Sequence, residues 1–548
     1  MPRWGMVIDL DRCVGCYACS VACHVENSTP PGIWYAPVYE QEVGTFPHVK
    51  RVFLPTLCMH CEDPPCLKAC PTKAISRRED GIVLVDQDVC CGTRACVSAC
   101  PYGAMNVFAH EGGDFEDQLT PFEESFQGKF QVGTVQKCTF CVHRIDQGIF
   151  TPACVESCPT ACRIFGDLDD PESAPSKLIS THNGFALRPE AGTSPSVRYI
   201  TPSLRSGQPL SDRRDISSGR ASRAQAAGSA LEAERSNESG MCSGNDFTRR
   251  LQVEAKPQNT RGLTVSLWYV FIGLAGGLYL NRLLFGIDVG QILGLPLANV
   301  LGLILLGISG VILILDLGKP YRFAGVHRNV QYSWISRGAI ADFIFVVLGG
   351  LLLLPYLTIG DQQPLAGLLW AHGSGLELIL TWVVAAAALF IIVYPGLELS
   401  SSRSIPFWNT ILIPLQFLGS AIASAAGVAW LMSSVLMSSI ELSSVAAVAT
   451  LGSVLATLVF SLVHIQSARS QQGAARMSAD KLMNGSLARN FLWGNLVLGL
   501  IVPGLIVVAH LAHVLPGGYL AVAGVLLLAG NFMAKHALLK AGYYASLL

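Results

Sequence analysis

The chain has 548 residues, a formal net charge of -1, 51% hydrophobic residues and only 14% charged ones. That is long enough for two or more domains and too apolar for an ordinary soluble protein. A charge near zero, with no basic stripe carrying interleaved aromatics, excludes a nucleic-acid binder. The averages conceal a division: seventeen of the eighteen cysteines precede residue 163, and nearly all the long apolar runs follow residue 262.

The opening MPRWGMVIDLDRC has neither an apolar signal core nor twin arginines, so no export signal of its own is expected. Residues 7–12 read as a short strand, and Cys13-x2-Cys16-x2-Cys19-x3-Cys23 follows. Three thiolates two residues apart on a tight loop can hold three corners of one iron–sulfur cubane, while the fourth turns to another cluster. Zinc is the weaker reading, since its sites seldom use four thiolates so closely spaced. The second group is Cys58-x2-Cys61-x4-Cys66-x3-Cys70-Pro71, and the fourth is Cys138-x2-Cys141-x12-Cys154-x3-Cys158-Pro159. The third, in VDQDVCCGTRACVSACPYGA, has Cys90, Cys96 and Cys100 but carries Thr93 where the spacing calls for a cysteine.

Two stretches, CPYGA at Cys100–Ala104 and CPTACRIFGDL at Cys158–Leu168, resemble the electron-transfer (B) subunits of the molybdopterin oxidoreductases, as in dimethyl sulfoxide, polysulfide and tetrathionate reductases. The resemblance covers roughly residues 5–200. It implies an α+β double ferredoxin-like domain in which groups one and four exchange their last cysteines, as do groups two and three. One cluster then takes Cys13, Cys16, Cys19 and Cys158. A second takes Cys138, Cys141, Cys154 and Cys23, and a third takes Cys58, Cys61, Cys66 and Cys100. Cys90, Cys96 and Cys70 remain for the group with Thr93. Threonine is a poor iron ligand, so this last site is expected to hold a [3Fe–4S] cluster beside three [4Fe–4S] clusters. An atypical [4Fe–4S] cluster completed by Cys91 or an oxygen donor is the alternative. Cys162 and Cys242 are surplus and read as ordinary thiols.

Residues 201–261 turn to Ser, Arg, Gly and Ala and read as a flexible tether. From residue 262 onward come eight apolar segments long enough to span a bilayer, near 264–285, 296–317, 339–357, 374–395, 408–433, 442–464, 490–513 and 518–540. Flanking positives crowd the face that bears the tether. Lys256, Arg261, Lys319, Arg322, Arg328, Arg337, Arg403, Arg469, Arg489, Lys535 and Lys540 all fall there, against Arg282 on the other face. The positive-inside rule makes the tether face cytoplasmic, at the inner membrane of the cell.

The motifs GLAGGLYL, LDLGKPYRF, SWISRGA, YPGLELSSSRSIPFWN and LLKAGYY resemble the NrfD/polysulfide reductase membrane-subunit family. That resemblance implies an all-α domain of two four-helix bundles, no haem, and a site for menaquinone or ubiquinone facing the iron–sulfur part. Polar clusters converge on the tether face. Tyr394 and Arg337 are the expected quinone hydrogen-bond donors, and Asp316 or Glu398 the proton relays. Trp268 and Tyr269 line the pocket, with Lys319, Arg322 and Arg403 close by. Asp342, Glu377, His464, His510, His513 and His536 are further ionisable groups on or near the spans, and a His464–His536 haem pair is a second possibility. The expected whole is an electron-transfer and anchor subunit working between a separate molybdopterin-bearing catalytic chain, resembling sulfite-oxidising complexes, and the quinone pool. A quinol-oxidising reductase subunit and a redox-driven proton pump are the alternatives.

Overall fold

The computed structural model describes residues 2–201 and 257–545, apart from residues 31, 44–49, 110–120, 122–123, 125–129, 259–261, 288–289, 360–361, 372, 403, 436–443 and 472. The tether thus lies almost wholly outside the described residues, and so do Cys242 and Arg403.

The first half is built on β1 (Trp4–Asp9), every residue of which is buried. It pairs antiparallel with β8 (Arg163–Asp167) and parallel with β9 (Val197–Ile200), so the strand after the last cysteine group returns beside the strand before the first. Between them run short elements, several of which carry the cysteines. They are α1 (Ala18–Asn27), the β2–β3 hairpin (Val38–Val43, Lys50–Pro55), α2 (Pro65–Ala69) and the β4–β5 hairpin (Ile75–Arg77, Val83–Val85). After them come α3 (Ala95–Ala99), β6 (Asn106–Val107), β7 (Val135–Gln136), α4 (Val142–Ile145), α5 (Ala153–Glu156) and, beyond β8, α6 (Ala174–His182). The core of this half is largely made of the cysteines themselves, packed with Met6, Ile8, Leu54, Phe108, Phe140 and Tyr199.

In the second half, eight helices are long and apolar enough to cross a membrane among the described residues. The first bundle comprises α7 (Leu263–Phe285), α8 (Leu297–Leu315), α9 (Trp334–Leu353) and α10 (Gly375–Ser400). The second comprises α11 (Leu412–Val435), α12 (Ser444–Ser470), α14 and α15 (Tyr519–Ala541). Here α14 starts as a π-wound segment, Arg489–Ile501, and continues as Val502–Leu511. A short surface helix, α13 (Ala474–Met483), joins the last two pairs. Helices α7, α9, α11 and α14 start, and α8, α10, α12 and α15 end, at the face where the chain enters. There Gln258 N donates to Gly542 O at 2.8 Å, pinning the incoming strand to the C-terminal turn. Small residues let the helices approach: a Cβ on Gly338 of α9 would lie 2.2 Å from the Tyr394 ring of α10, so only glycine leaves that ring its place.

The iron–sulfur half sits on this same face. A 3-10 segment, Pro320–Asn329, and the start of α9 supply the seam. Asn329 is 1% exposed and spreads its amide N–H groups over the carbonyls of Leu67 (3.2 Å), Lys68 (3.2 Å) and Cys70 (2.7 Å). Ser333 and Ser336 donate to the carbonyls of Ala69 and Pro71, both at 3.4 Å, and the Ser404 hydroxyl donates to that of Ser98. Val326 and Ile335 pack on Ala95. Carbonyls at the ends of α2 and α3 thereby gain donors from the membrane half, which a buried helix end requires.

Candidate electron-transfer and quinone site

Groups two and three of the cysteines face the membrane half, and group one faces away from it. Cys58, Cys61, Cys66 and Cys100 line one internal cavity together with Pro65, Pro101, Met105 and Lys137. Burial pushes the Cys66 thiol well up, the neighbouring Cys100 and Cys58 add to this, and Lys137 opposes it. Cys96 is pushed up by burial and by its neighbours Cys70 and Cys90. Cys23 is pushed up by burial and then by Cys138, Cys154 and Cys141. The structure therefore gathers Cys23 with the fourth group and Cys100 with the second, and it brings Cys70, Cys90 and Cys96 together.

Such sets could not hold several thiolates in a dry core without compensating positive charge. Among the described residues no three Cys, His, Asp or Glu side chains close round a single ion. Zinc needs its thiolates about 4 Å apart round one point, whereas a cubane places each on its own iron round a larger void. Buried cations face the sets as well. Lys137 is 2% exposed and donates to the carbonyls of Val83 and Cys138. Arg163, also 2% exposed, lies 3.9 Å from Cys154 Sγ, and its Nε and Nη2 have no hydrogen-bond partner. Orphaned guanidinium atoms beside thiols fit an anionic cluster there.

The third group departs from the others in its surroundings as in its sequence. The Cys91 thiol is pushed up to about 12 by burial and by Cys90, with Cys70 nearby and the Thr72 hydroxyl bonded to it. Its carbonyl accepts from Lys319 N at 3.1 Å. Cys162, expected to be an ordinary thiol, has its Sγ 3.5 Å from Cys158 Sγ and also bonds Cys13. Its spacing from Cys158 accounts for the first contact, and the pairing of β8 with β1 brings it back beside Cys13.

His60, between two cysteines of group two, is fully buried. It accepts from Val83 N at 3.1 Å through Nδ1 and stacks on Phe140 at 3.8 Å. Burial, aided by Lys137, holds its imidazole well below the usual range, so it is neutral in the fold. A depressed folded value means stability is intact above the unfolded value near 6.5 and is lost as pH falls below it. Lowering pH from 7.5 to 5.5 should thus cost about 1.4 kcal/mol through this group. Thermal melts at the two pH values should show that loss in the native protein and not in His60→Phe.

Between the halves lies a cavity of about 990 Å³, including its open mouth. Pro65 and Pro101 form its ceiling and are also walls of the four-thiol cavity above. Tyr332, Trp334, Glu398 and Ser402 contribute from the membrane half. Glu398 accepts from Tyr269 OH at 3.3 Å, and Trp268, Tyr269 and Tyr394 form an aromatic cluster behind it. Tyr394 OH reaches Asp342 at 3.5 Å.

Several sequence candidates take other places. Arg322 reaches into the iron–sulfur half, donating to the carbonyls of Cys90 (3.1 Å) and Gln87 and to Gln131 Oε1 (2.7 Å). Lys319 binds there through its backbone. Arg337 turns back to the carbonyls of Val330 (2.9 Å) and Gln331 (2.5 Å) and lies over the Trp334 ring, closing its own helix start. Asp316 accepts from Thr264 at the α7–α8 edge. None of these four lines the cavity, so its donors differ from those expected. Both ring nitrogens of His464 are engaged, by Gln416 (3.1 Å) and the Phe407 carbonyl (2.8 Å), leaving neither for an iron. Trp334, Tyr332 and Ser402 do not stand out in the sequence, although SWISRGA and the Ser400–Ser402 run mark their positions.

Fold and site together define a multi-pass membrane protein that carries an iron–sulfur electron-transfer domain. A family model described as polysulphide reductase, NrfD matches residues 253–545. Models of a 4Fe-4S dicluster domain match residues 49–117 and 116–168, and one of a 4Fe-4S binding domain matches residues 4–25. The protein belongs to the polysulphide reductase NrfD family, fused to iron–sulfur domains of the dicluster type. Its first part is 42% identical to the arsenate respiratory reductase iron-sulfur subunit of Shewanella sp. strain ANA-3, covering 36% of this chain and 96% of that one. It is 37% identical to the B subunit of the sulfite dehydrogenase of Allochromatium vinosum, over 36% and 83% respectively. It is 35% identical to the B component of the polysulfide reductase of Wolinella succinogenes, over 37% and 97%.

Proposed function

We propose that this protein passes electrons between a separate molybdopterin-bearing catalytic subunit and the quinone pool. The observation that carries the proposal is the pair Pro65 and Pro101, which wall both the four-thiol cavity and the cavity at the seam. An electron at one is a single residue's thickness from the other. In this reading Cys13, Cys16, Cys19 and Cys158 hold the outermost [4Fe–4S] cluster. Cys138, Cys141, Cys154 and Cys23 hold the next, and Cys58, Cys61, Cys66 and Cys100 the third. Cys70, Cys90 and Cys96 hold a [3Fe–4S] cluster, Thr93 leaving one corner without a thiolate. Low-temperature EPR of the oxidised protein tests this last assignment. A three-iron signal near g = 2 is expected, and its absence would favour completion by Cys91. These clusters supply one-electron carriers when bound; the protein supplies spacing, burial and charge. Removing the Arg163 charge beside Cys154 and Cys19 in Arg163→Met should lower the potential of a neighbouring cluster by roughly 100 mV, as one charge at several ångströms in a medium of effective dielectric near 20 implies. Potentiometric EPR titration reads that shift.

The seam cavity is the quinone site, with Glu398 and Tyr269 as the proton-handling pair and Trp334 and Tyr332 as walls. Its few convergent polar groups, backed by the aromatic cluster of Trp268, Tyr269 and Tyr394, suit a quinone ring. The catalytic partner docks where group one emerges: Cys16 is exposed there, and Val14, Tyr17, Val21 and Val25 are exposed apolar residues beside it. The positives on the seam side support a cytoplasmic iron–sulfur domain. That placement favours oxidation of a sulfur compound, sulfite being the leading case, with electrons delivered to quinone; reduction of a polysulfide-type acceptor by quinol is the reverse reading. A large excess of decylubiquinol, which drives the transfer in reverse, tests the quinone assignment on the oxidised, purified protein, because cluster absorbance near 420 nm should bleach in part.

A further inference from the structure

The second bundle holds a polar cavity that the quinone reading does not use. Lys535 of α15, 5% exposed, points into it beside Ser420 and Ser424 of α11, Asn495 of α14 and Asn531 of α15. Lys535 lies six residues before the end of α15 at Ala541, about 9 Å below the seam face at 1.5 Å per residue. Among the described residues no carboxylate stands beside it. Its Nζ lies over the Phe417 ring, 3.0 Å from the centroid, and donates to Ser420 Oγ at 3.2 Å.

The hydrogen-bond directions decide what this cavity can hold. Ser420 spends its proton on the Phe417 carbonyl at 3.1 Å, and Ser424 spends its own on the Ser420 carbonyl. Their oxygens therefore face inward as acceptors, one for Lys535 and one for Asn531 Nδ2 at 2.9 Å. Asn531 Oδ1 is buried with no partner, a further acceptor aimed at the void. An acceptor-lined cavity repels anions and suits the remaining N–H groups of an ammonium and the waters between them. The π-wound start of α14 shifts the helical register so that Asn495 also turns inward, an irregularity that recurs at functional sites.

The cavity is closed on one side and linked on the other. Toward the far face the helices meet backbone to backbone: a Cβ on Gly427 would lie 2.9 Å from Gly524 Cα, and one on Gly499 2.5 Å from Gly530 Cα. Toward the seam face the hydrogen-bonded line runs from Gln416 to His464 and on to the Phe407 carbonyl in the loop before α11. The other titratable groups facing this region are His536, bonded to Ser266, and Lys481 and Lys540 at the face itself. Across the Phe417 ring stands Tyr269, 5.2 Å between centroids, and Tyr269 bonds Glu398 in the wall of the seam cavity.

We propose that Lys535 is a redox-linked protonation site, filled from the seam face and coupled to the quinone pocket across Phe417. When electrons enter the third cluster or the pocket, the Nζ amine takes one proton from water that reaches the cavity from the seam side and becomes an ammonium; when they leave, the proton returns to that water. No electron moves at the lysine itself. The proposal rests on the quinone reading above.

The test is proton uptake during electrochemical reduction of the purified, decylubiquinone-loaded complex in weakly buffered dye solution. Lys535→Met should take up fewer protons than the native complex, by up to one per protein, with its rate of quinone reduction kept within about twofold. Methionine is apolar and close to lysine in length, so it fills the buried side chain's place and the variant should assemble. Asn531→Leu, which removes the orphan acceptor, should lower uptake in the same direction and serves if Lys535→Met fails to assemble. Equal uptake in native and variant complexes, with quinone reduced normally, would overturn the proposal. Failure of the native complex to bind or reduce quinone would instead strike the reading on which it rests.

Discussion

Cys66→Ala should cut electron delivery from the outer clusters to quinone by more than about 100-fold, since even outer-shell partners of metal ligands cost ten- to a hundredfold. Cys66 sits at the base of α2 in the four-thiol cavity, with Pro65, one wall of the seam cavity, immediately before it. In the proposed assignment, removing it takes a thiolate from a cluster whose cavity shares walls with the pocket and leaves the other three sets untouched. The expected protein is therefore one whose outer clusters still reduce with an artificial donor and no longer reoxidise with decylubiquinone. A stopped-flow trace at 420 nm separates the two events. Normal reoxidation in this variant would mean that electrons leave by another route.

Asn329→Leu should be nearly as damaging, although it touches no thiol. The side chain is buried and satisfies three carbonyls at the end of α2. A leucine of similar size leaves those acceptors dry, at about 1–3 kcal/mol for each one stranded. A cost of about 3 kcal/mol or more lowers the docking equilibrium constant of the iron–sulfur half by about a hundredfold, moderated by the tether that keeps it near. Protease access to the tether should rise, and reoxidation by quinone should slow while the EPR of the clusters stays unchanged. Arg322→Ala, which loses the clamp on the Cys90 loop, should act in the same direction.

The cysteine groups are legible in the sequence because a cluster ligand loop is a local object: two-residue spacing, a proline behind and a short helix ahead are all fixed within twenty residues. The eight spans are legible because a bilayer sets their length and composition. The destinations of the long side chains are not. Arg322, Lys319 and Arg337 are cations at helix ends, and nothing local tells a clamp on another domain from a quinone donor or a topology signal. Asn329, Ser333 and Ser336 are short polar residues that read as an ordinary loop until the second half of the contact is present. Lys535 reads as one of the positives of the tether face, yet it is turned inward by the bundle that closes round it. Thr93 stands out at once as a missing thiolate, whereas the buried place of Cys91 beside Cys70 depends on how two hairpins meet.

The central claim is that electrons cross from the iron–sulfur half to quinone at the seam. Its most direct test is to photoreduce the purified protein, add two equivalents of decylubiquinone, enough to accept one electron from each of four clusters, and follow the clusters by EPR and absorbance, in the native protein and in Glu398→Gln. The native protein should reoxidise its clusters and form quinol, and the variant should do so at least about tenfold more slowly, as loss of a positioned proton donor or acceptor implies. Clusters that stay reduced in the native protein, with quinone present and bound, would contradict the account.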